Sequence, residues 1–231
     1  MRVGVSKRTT LLALAAVVVL LLCGTAYADN YTYSRSHAGD ADAAALTLRG
    51  RDFPAQFGLT GGHVKPDETP NTDSCNGYVP KQHDLVVVGD SETVYHDHAH
   101  SVSIDSEVQL FQSVAMASTD VQRGLRMITP TCQAQAAKQE HVKLVSYAIL
   151  GHPRCTCDFG VTVTFETKTA HANVDVLFVA TAIRKGRTEA NLITSVGKST
   201  TDTASANNAF KTALIVQGVG LKALLNRLHA N

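Results

Sequence analysis

Residues 174–196, VDVLFVATAIRKGRTEANLITSV, hold two apolar segments on either side of RKGR. The segments VDVLFVATAI and EANLITSV have strand composition, and Lys185-Gly186 suits the tight loop of a hairpin. Working outward, GVTVTFETK (160–168) sets Val161, Val163 and Phe165 on one side and Thr162, Thr164 and Glu166 on the other, and VKLVSYAIL (142–150) has the same character. Together these segments predict one antiparallel meander from Val142 to Val196.

Upstream, DLVVVG (84–89) reads as a short buried strand, and SVSIDSEVQLF (101–111) as an extended one with Val102, Ile104, Val108 and Leu110 in alternate register. From Ser113 the period changes. Ala117, Val121, Leu125 and Ile128 recur at spacings of four and three, predicting a helix that runs to Pro130. A second helical piece holds Cys132. The polar run KSTTDTASANN (198–208) is a linker to a closing helix, with Phe210, Leu214, Leu221, Leu225 and Leu228 as an apolar stripe. Gly218 and Gly220 within it permit close packing or a bend. The fold class expected is α+β: an antiparallel twisted sheet with helices packed on one face, the pieces near Val114–Met127 and Phe210–Leu228 sharing that face, stapled by disulfides.

The chain starts with Arg2, Lys7 and Arg8, then an apolar run from Leu11 to Cys23 and a small-x-small Ala26-Tyr27-Ala28. This is the pattern of an export signal, residues 1–28, cleaved before Asp29. The alternatives are an uncleaved anchor, disfavoured because the run is shorter than the roughly 20 residues a bilayer needs, and lipidation at Cys23, disfavoured by Leu22 before it. Residues 29–40 (DNYTYSRSHAGD) are polar and aperiodic, a flexible lead, and one domain is expected over 41–231. Within it ADAAALTLRGRDFP (41–54) suggests a short helix or turn feeding an extended segment, and GGHVKPDETPNTDS (61–74) a loop.

After residue 28 the chain keeps 18 of its 21 Lys and Arg (Arg2, Lys7 and Arg8 go with the leader) against 20 Asp and Glu. No basic stripe results, and there is no Trp, so nucleic acid is not an expected partner. Contact with a membrane is expected only through an uncleaved signal. No cofactor is expected.

Cys75, Cys132, Cys155 and Cys157 follow the leader. An even count in an exported chain argues for two disulfides. Pairing Cys75 with Cys132 closes a 57-residue loop, worth about 4 kcal/mol in the chain-entropy model. That leaves Cys155 with Cys157, a cramped bridge, so the crossed pairings stay open.

Two stretches carry possible chemistry. In VVVGDSET (86–93) a Gly-Asp-Ser after an apolar strand is similar to the nucleophile block of GDSL-type esterases, with Ser91 as nucleophile. The accompanying D-x-x-H occurs only at Asp97 to His100, too soon after Ser91, and Gly89-Asp90 also suits a turn. In YHDHAH (95–100), His96, His98 and His100 fall on one side of any strand. Same-side neighbours stand about 6.6 Å apart, too far for three imidazoles to meet on one ion. Two, with Asp97, form a candidate zinc or copper site; the plain alternative is a soluble polar loop.

The run LTLRGRDFPAQF (46–57), then SCNGY (74–78), SEVQLFQSVAMASTDVQRGL (106–125), DVLFVATAIRKGRTEANL (175–192) and the closing helix resembles the PknH-like extracellular sensor domain over residues 41–229. The resemblance implies an antiparallel sheet with helices on one face, a cleft, two disulfides and a ligand-sensing role. There is no kinase segment here and no second membrane segment, so direct signalling across a membrane is not implied. The expected function is an exported, non-catalytic domain that binds a small molecule or a cell-envelope component.

Overall fold

The computed structural model describes residues 30–66, 75, 82–97, 101–150, 158–168, 173–199 and 203–230. In chain order the strands are β1 (Asn30–Tyr33), β2 (Thr60–Val64), β3 (Gln82–Asp97), β4 (Val102–Phe111), β5 (Lys143–Ile149), β6 (Phe159–Lys168), β7 (Asn173–Lys185) and β8 (Thr188–Ser199). The helices are α1 (His37–Leu46), α2 (Val114–Met127), α3 (Pro130–Gln139) and α4 (Thr203–Ala230), with 3-10 turns at Gly50–Asp52 and Ala55–Phe57. All eight strands join one sheet, in the order β1-β3-β4-β8-β7-β6-β5, with β2 also on β3. Every pairing is antiparallel except β1 with β3. The α+β class and the antiparallel meander from residue 142 to 196 are therefore present.

The β7–β8 hairpin closes as its sequence asks. Lys185 pairs with Thr188 across a two-residue loop, and Gly186 alone there takes positive φ, the arrangement of a type II′ turn. Ser113 caps α2 by accepting from the Met116 N–H at 3.2 Å, and Thr129 caps α3 with Pro130 as its first residue.

Helices cover both faces of the sheet, not one. One face packs Ile104, Val108, Leu192 and Val196 against Leu46 of α1 and Ala213, Val216 and Leu224 of α4. The other packs Phe165, Val176 and Phe178 against Val121 of α2 and Ala137 of α3. The reason lies in β7, where Val176, Leu177, Phe178 and Val179 are all buried. An uninterrupted apolar run has two faces to cover, and an alternating strand has one.

The stripe of α4 is likewise turned from the expected one. Its buried line is Ala213, Val216, Gln217, Gly220, Leu224 and Leu228. Of the expected positions only Leu228 is buried; Phe210, Leu221 and Leu225 flank the contact, and Leu214 is 49% exposed. Gln217 accepts from the Thr194 hydroxyl at 2.5 Å and donates to Thr181 Oγ1 at 3.0 Å and Leu192 O at 3.1 Å. A polar residue thus holds the centre of the seam, where a count of apolar residues does not look. At Gly220 a Cβ would stand 3.0 Å from Leu192 and 3.1 Å from Leu48, so this glycine is the close-packing one. Arg227 fastens the end of α4, donating to Thr47 O at 2.8 Å and to both Asp52 oxygens at 2.5 Å.

Three further expectations change at the N-terminal side. Residues 29–40 do not form a free lead: Asn30–Tyr33 is a strand on β3, Tyr31 is buried, and α1 opens at His37 behind its Ser36 cap. Part of the expected 61–74 loop is β2, which pairs with residues 92–96 of β3; residues 67–74 lie outside the described ones. Gly89-Asp90 is no turn but part of the long β3, just after a register shift between Val87 and Gly89. There the backbones of α1 and β3 touch, and a Cβ on Gly89 would lie 2.2 Å from Gly39 O. The carboxylate Oδ1 of Asp40 then accepts from the Asp90 N–H at 3.1 Å, and Arg35 pairs with Asp40 at 3.0 Å.

Candidate functional site

Cys75 and Cys132 form a disulfide with a Cα separation of 5.5 Å, the pairing that loop length favoured. Cys155 and Cys157 lie outside the described residues. His96 sits near the end of β3, opposite Ser103 of β4 and Thr60 of β2; His98 and His100 lie outside the described residues. Among the described residues no three His, Cys, Asp or Glu side chains are grouped to hold a metal ion.

Ser91 is buried mid-strand in β3, and its Oγ is 3.3 Å from Nδ1 of His63 in β2. His63 is the residue that a loop reading of 61–74 passed over. The contact supplies a base beside a hydroxyl and little else. Ser91 stands inside a paired strand, not on a strand-to-helix elbow. Asp97 is on the same side of β3 but six residues along, about 20 Å away in an extended strand. A nucleophile needs an oriented base and oxyanion donors as well as proximity.

The larger constellation is on the other face of the same strands. Directly paired residues share a face. In register, Asp90 lies opposite Gln109 and Gln109 opposite Glu189; Glu92 opposite Glu107 and Glu107 opposite Asn191; Val94 opposite Asp105 and Asp105 opposite Ile193. Three rungs of three residues therefore carry five carboxyl groups, and Asp120 of α2 adds a sixth. Burial grades along them. Asp90, Gln109 and Glu189 are buried, Asp90 to 2% and Glu189 to 1% exposure, while Glu92, Glu107, Val94 and Asp105 are partly exposed.

Hydrogen bonds satisfy part of this set. Tyr31 donates its hydroxyl to Asp120 Oδ1 at 2.9 Å, and Gln109 Nε2 donates to Glu107 Oε1 at 3.0 Å. Asp120 and the Asn191 amide both bond Glu189. Both oxygens of Asp90, Oε2 of Glu189 and Oδ1 of Asn191 are buried without a hydrogen-bond partner. Such orphaned acceptors are costly in a fold that satisfies most of its interior.

The electrostatics follow from burial and crowding. Desolvation pushes Asp90 up to about 7, aided by the charges of Glu92 and Asp40 and opposed by Arg35. Desolvation lifts Asp105 to about 6. Glu107 rises well above the carboxylate range by desolvation and the neighbouring Asp90, Asp105 and Glu92, and Glu189 by desolvation and Asp120. Asp40, bonded by Arg35 and by the Asp90 backbone, is held low. The arrangement is an acidic face with a dry inner end, where the raised carboxyls keep protons that they can donate to their neighbours. Its signal was present in IDSEVQ, where the alternates of Ile104 and Val108 are Asp105, Glu107 and Gln109.

No protein-family model matches the chain, and no curated protein does.

Proposed function

We propose that the chain is an exported, non-catalytic ligand-binding domain, a secreted relative of the PknH-like sensor type, that takes a small molecule or cell-envelope component on the acidic face of β3, β4 and β8. The observation that carries this reading is the set of orphaned acceptors on Asp90, Glu189 and Asn191 behind a partly exposed rim. A fold keeps such groups at a cost to stability, and binding is what repays it. The disulfide agrees with an oxidising compartment. Among the described residues no helix is long and apolar enough to cross a membrane.

The test is thermal unfolding of the exported protein against a panel of cationic, anionic and neutral small molecules, repeated with Glu107→Gln. Stabilisation by one charge class that weakens in the variant supports the reading. Indifference to the whole panel removes it.

The Ser91–His63 contact favours a second reading, a secreted esterase. Turnover of short acyl esters by the wild type and its loss in Ser91→Ala would establish that reading in place of the first. The metal-binding alternative at His96, His98 and His100 is tested by zinc or copper titration of the triple Gln variant, for which only a modest change in affinity is expected.

A further inference from the structure

The outer face of α4 takes no part in the packing of the sheet or in the acidic face. Lys211, Leu214, Ile215, Gly218 and Lys222 are exposed, and steps of three, one, three and four residues set them along one side of the helix, opposite its buried line. Leu214 is 49% and Ile215 56% exposed, side by side in the middle of the helix. A lysine stands at either end of this apolar pair, the two about 16 Å apart along the axis. From Thr203 to Ala230 there is no Asp or Glu. Asp52, which reaches α4 from the 3-10 turn before it, is taken by Arg227. Further cations flank both ends. Lys198 lies 4.5 Å over the Phe210 ring, and Lys185 donates to Leu228 O at 2.5 Å, which sets the tip of the β7–β8 hairpin, with its exposed Arg187, beside the C-terminal end.

We propose that this face of α4 rests on an anionic lipid surface, with Leu214 and Ile215 entering the headgroup region and Lys211 and Lys222 on lipid phosphates. Lysine stems lie along apolar surface while their ammonium groups reach outward to the phosphates. Charge and shape decide the partner. Two copies packed along this stripe about a two-fold axis would set lysine against lysine, whether the helices ran parallel or antiparallel. A stable protein interface needs roughly 1,000 Å² of matched surface, and a helix lying on a sheet offers a narrow ridge with two apolar side chains. A bilayer accepts such a ridge without a matching groove. Among the described residues no helix, α4 included, is long and apolar enough to cross a membrane, so the contact runs along the surface.

Two lysines and a half-exposed apolar pair make the binding weak and reversible, half complete at roughly millimolar lipid. Added salt weakens it further. The contact is separate from any made through the leader. It does not rest on the ligand reading of the acidic face either, because α4 packs on the side of Ile104 and Val108, across the sheet from Asp105 and Glu107.

The experiment uses the chain from Asp29 onward, which holds every described element and lacks the apolar run of the leader. It is sedimented at low salt with vesicles of phosphatidylcholine containing about one-third phosphatidylglycerol, and with vesicles of phosphatidylcholine alone. Expected is binding to the first that is at least about tenfold weaker on the second. On the anionic vesicles, Leu214→Ser/Ile215→Ser and Lys211→Gln/Lys222→Gln should each lose about tenfold. All four positions are exposed, so both variants fold. Leu125→Ser, at an exposed position of α2 on the other face of the sheet, should bind as the wild type does. The chain has no Trp, so Ile215→Trp carries a single reporter, whose emission should move to the blue on anionic vesicles; that of Val114→Trp in α2 should stay. Absence of binding at about 10 mM lipid, equal binding to the two vesicle types, unchanged binding by either double variant, or a blue shift at Val114→Trp and none at Ile215→Trp overturns the proposal. Dimers of the lipid-free protein that Leu214→Ser/Ile215→Ser abolishes would assign the face to a second copy and overturn it too.

Discussion

Strands β3, β4 and β8 carry two faces made from alternate residues of the same segments. On one, Ile104, Val108, Leu192 and Val196 meet α4 and exclude water. On the other, the inner end of the set Asp105, Glu107, Glu189 and Asn191 meets Asp120 in the middle of α2, and some of their oxygens find no partner. The first face contributes stability and the second consumes it. A sheet that merely needed cover would carry apolar side chains on both sides, as β7 does. The contrast marks the acidic face as the place where the fold gives up stability for something else.

The sharpest break of the comparison is at its tethers. The helices over the acidic side are held partly by Cys75–Cys132, which packs with Met127. Removing the bridge by Cys75→Ser/Cys132→Ser should lower stability by about 4 kcal/mol in the chain-entropy model. Urea unfolding with and without reductant measures it, and amides of α2 and α3 should exchange faster before those of α4 do. Next in size, Leu192→Ala, at a fully buried position under α4, should lose about 3 kcal/mol. The same loss from a substitution on the acidic face would erase the distinction between the two.

The smaller effects have the opposite sign. Glu107→Gln replaces a carboxyl that burial and its acidic neighbours keep protonated near neutral pH, so its gain in stability, at most about 1 kcal/mol, should appear as the pH is raised. The pH dependence agrees. Asp90 and Asp105 have folded values above their unfolded ones, so the native state binds more protons than the unfolded state between the ordinary carboxylate range and about 7. Stability should therefore fall as pH rises through that window, and Glu107→Gln should fall less. Asp40 works the other way: its lowered value gives stability that is lost only in more acid solution. Melting temperatures of the two proteins across the range test both statements.

How legible this was in the sequence depends on the residue type asked to give the signal. Apolar periodicity located β4 to β8, α2, α3 and α4, because burial of Val, Leu and Phe is what it records. It misplaced the buried line of α4, where Gln217 and the small Ala213 and Gly220 carry the contact. It also placed the helices on one face, although the VLFV run of β7 has two faces to cover. Polar composition hid β1, since NYTY holds its place through Tyr31 and backbone pairing, and hid β2, whose Gly61 backbone lies against Val94. Of the candidate site, the histidines and Ser91 were visible as motifs. Of the acidic face only the β4 part, the alternating acids of IDSEVQ, could be seen, since the other carboxyls come from two strands and a helix far apart in the chain, and only strand register brings them together.

The measurement closest to the central claim is a carbon-detected NMR titration of the Asp90 side-chain carboxyl. The account predicts a midpoint near 7. A midpoint in the ordinary carboxylate range would mean that the inner end of the face is wet and already satisfied. That would contradict the account.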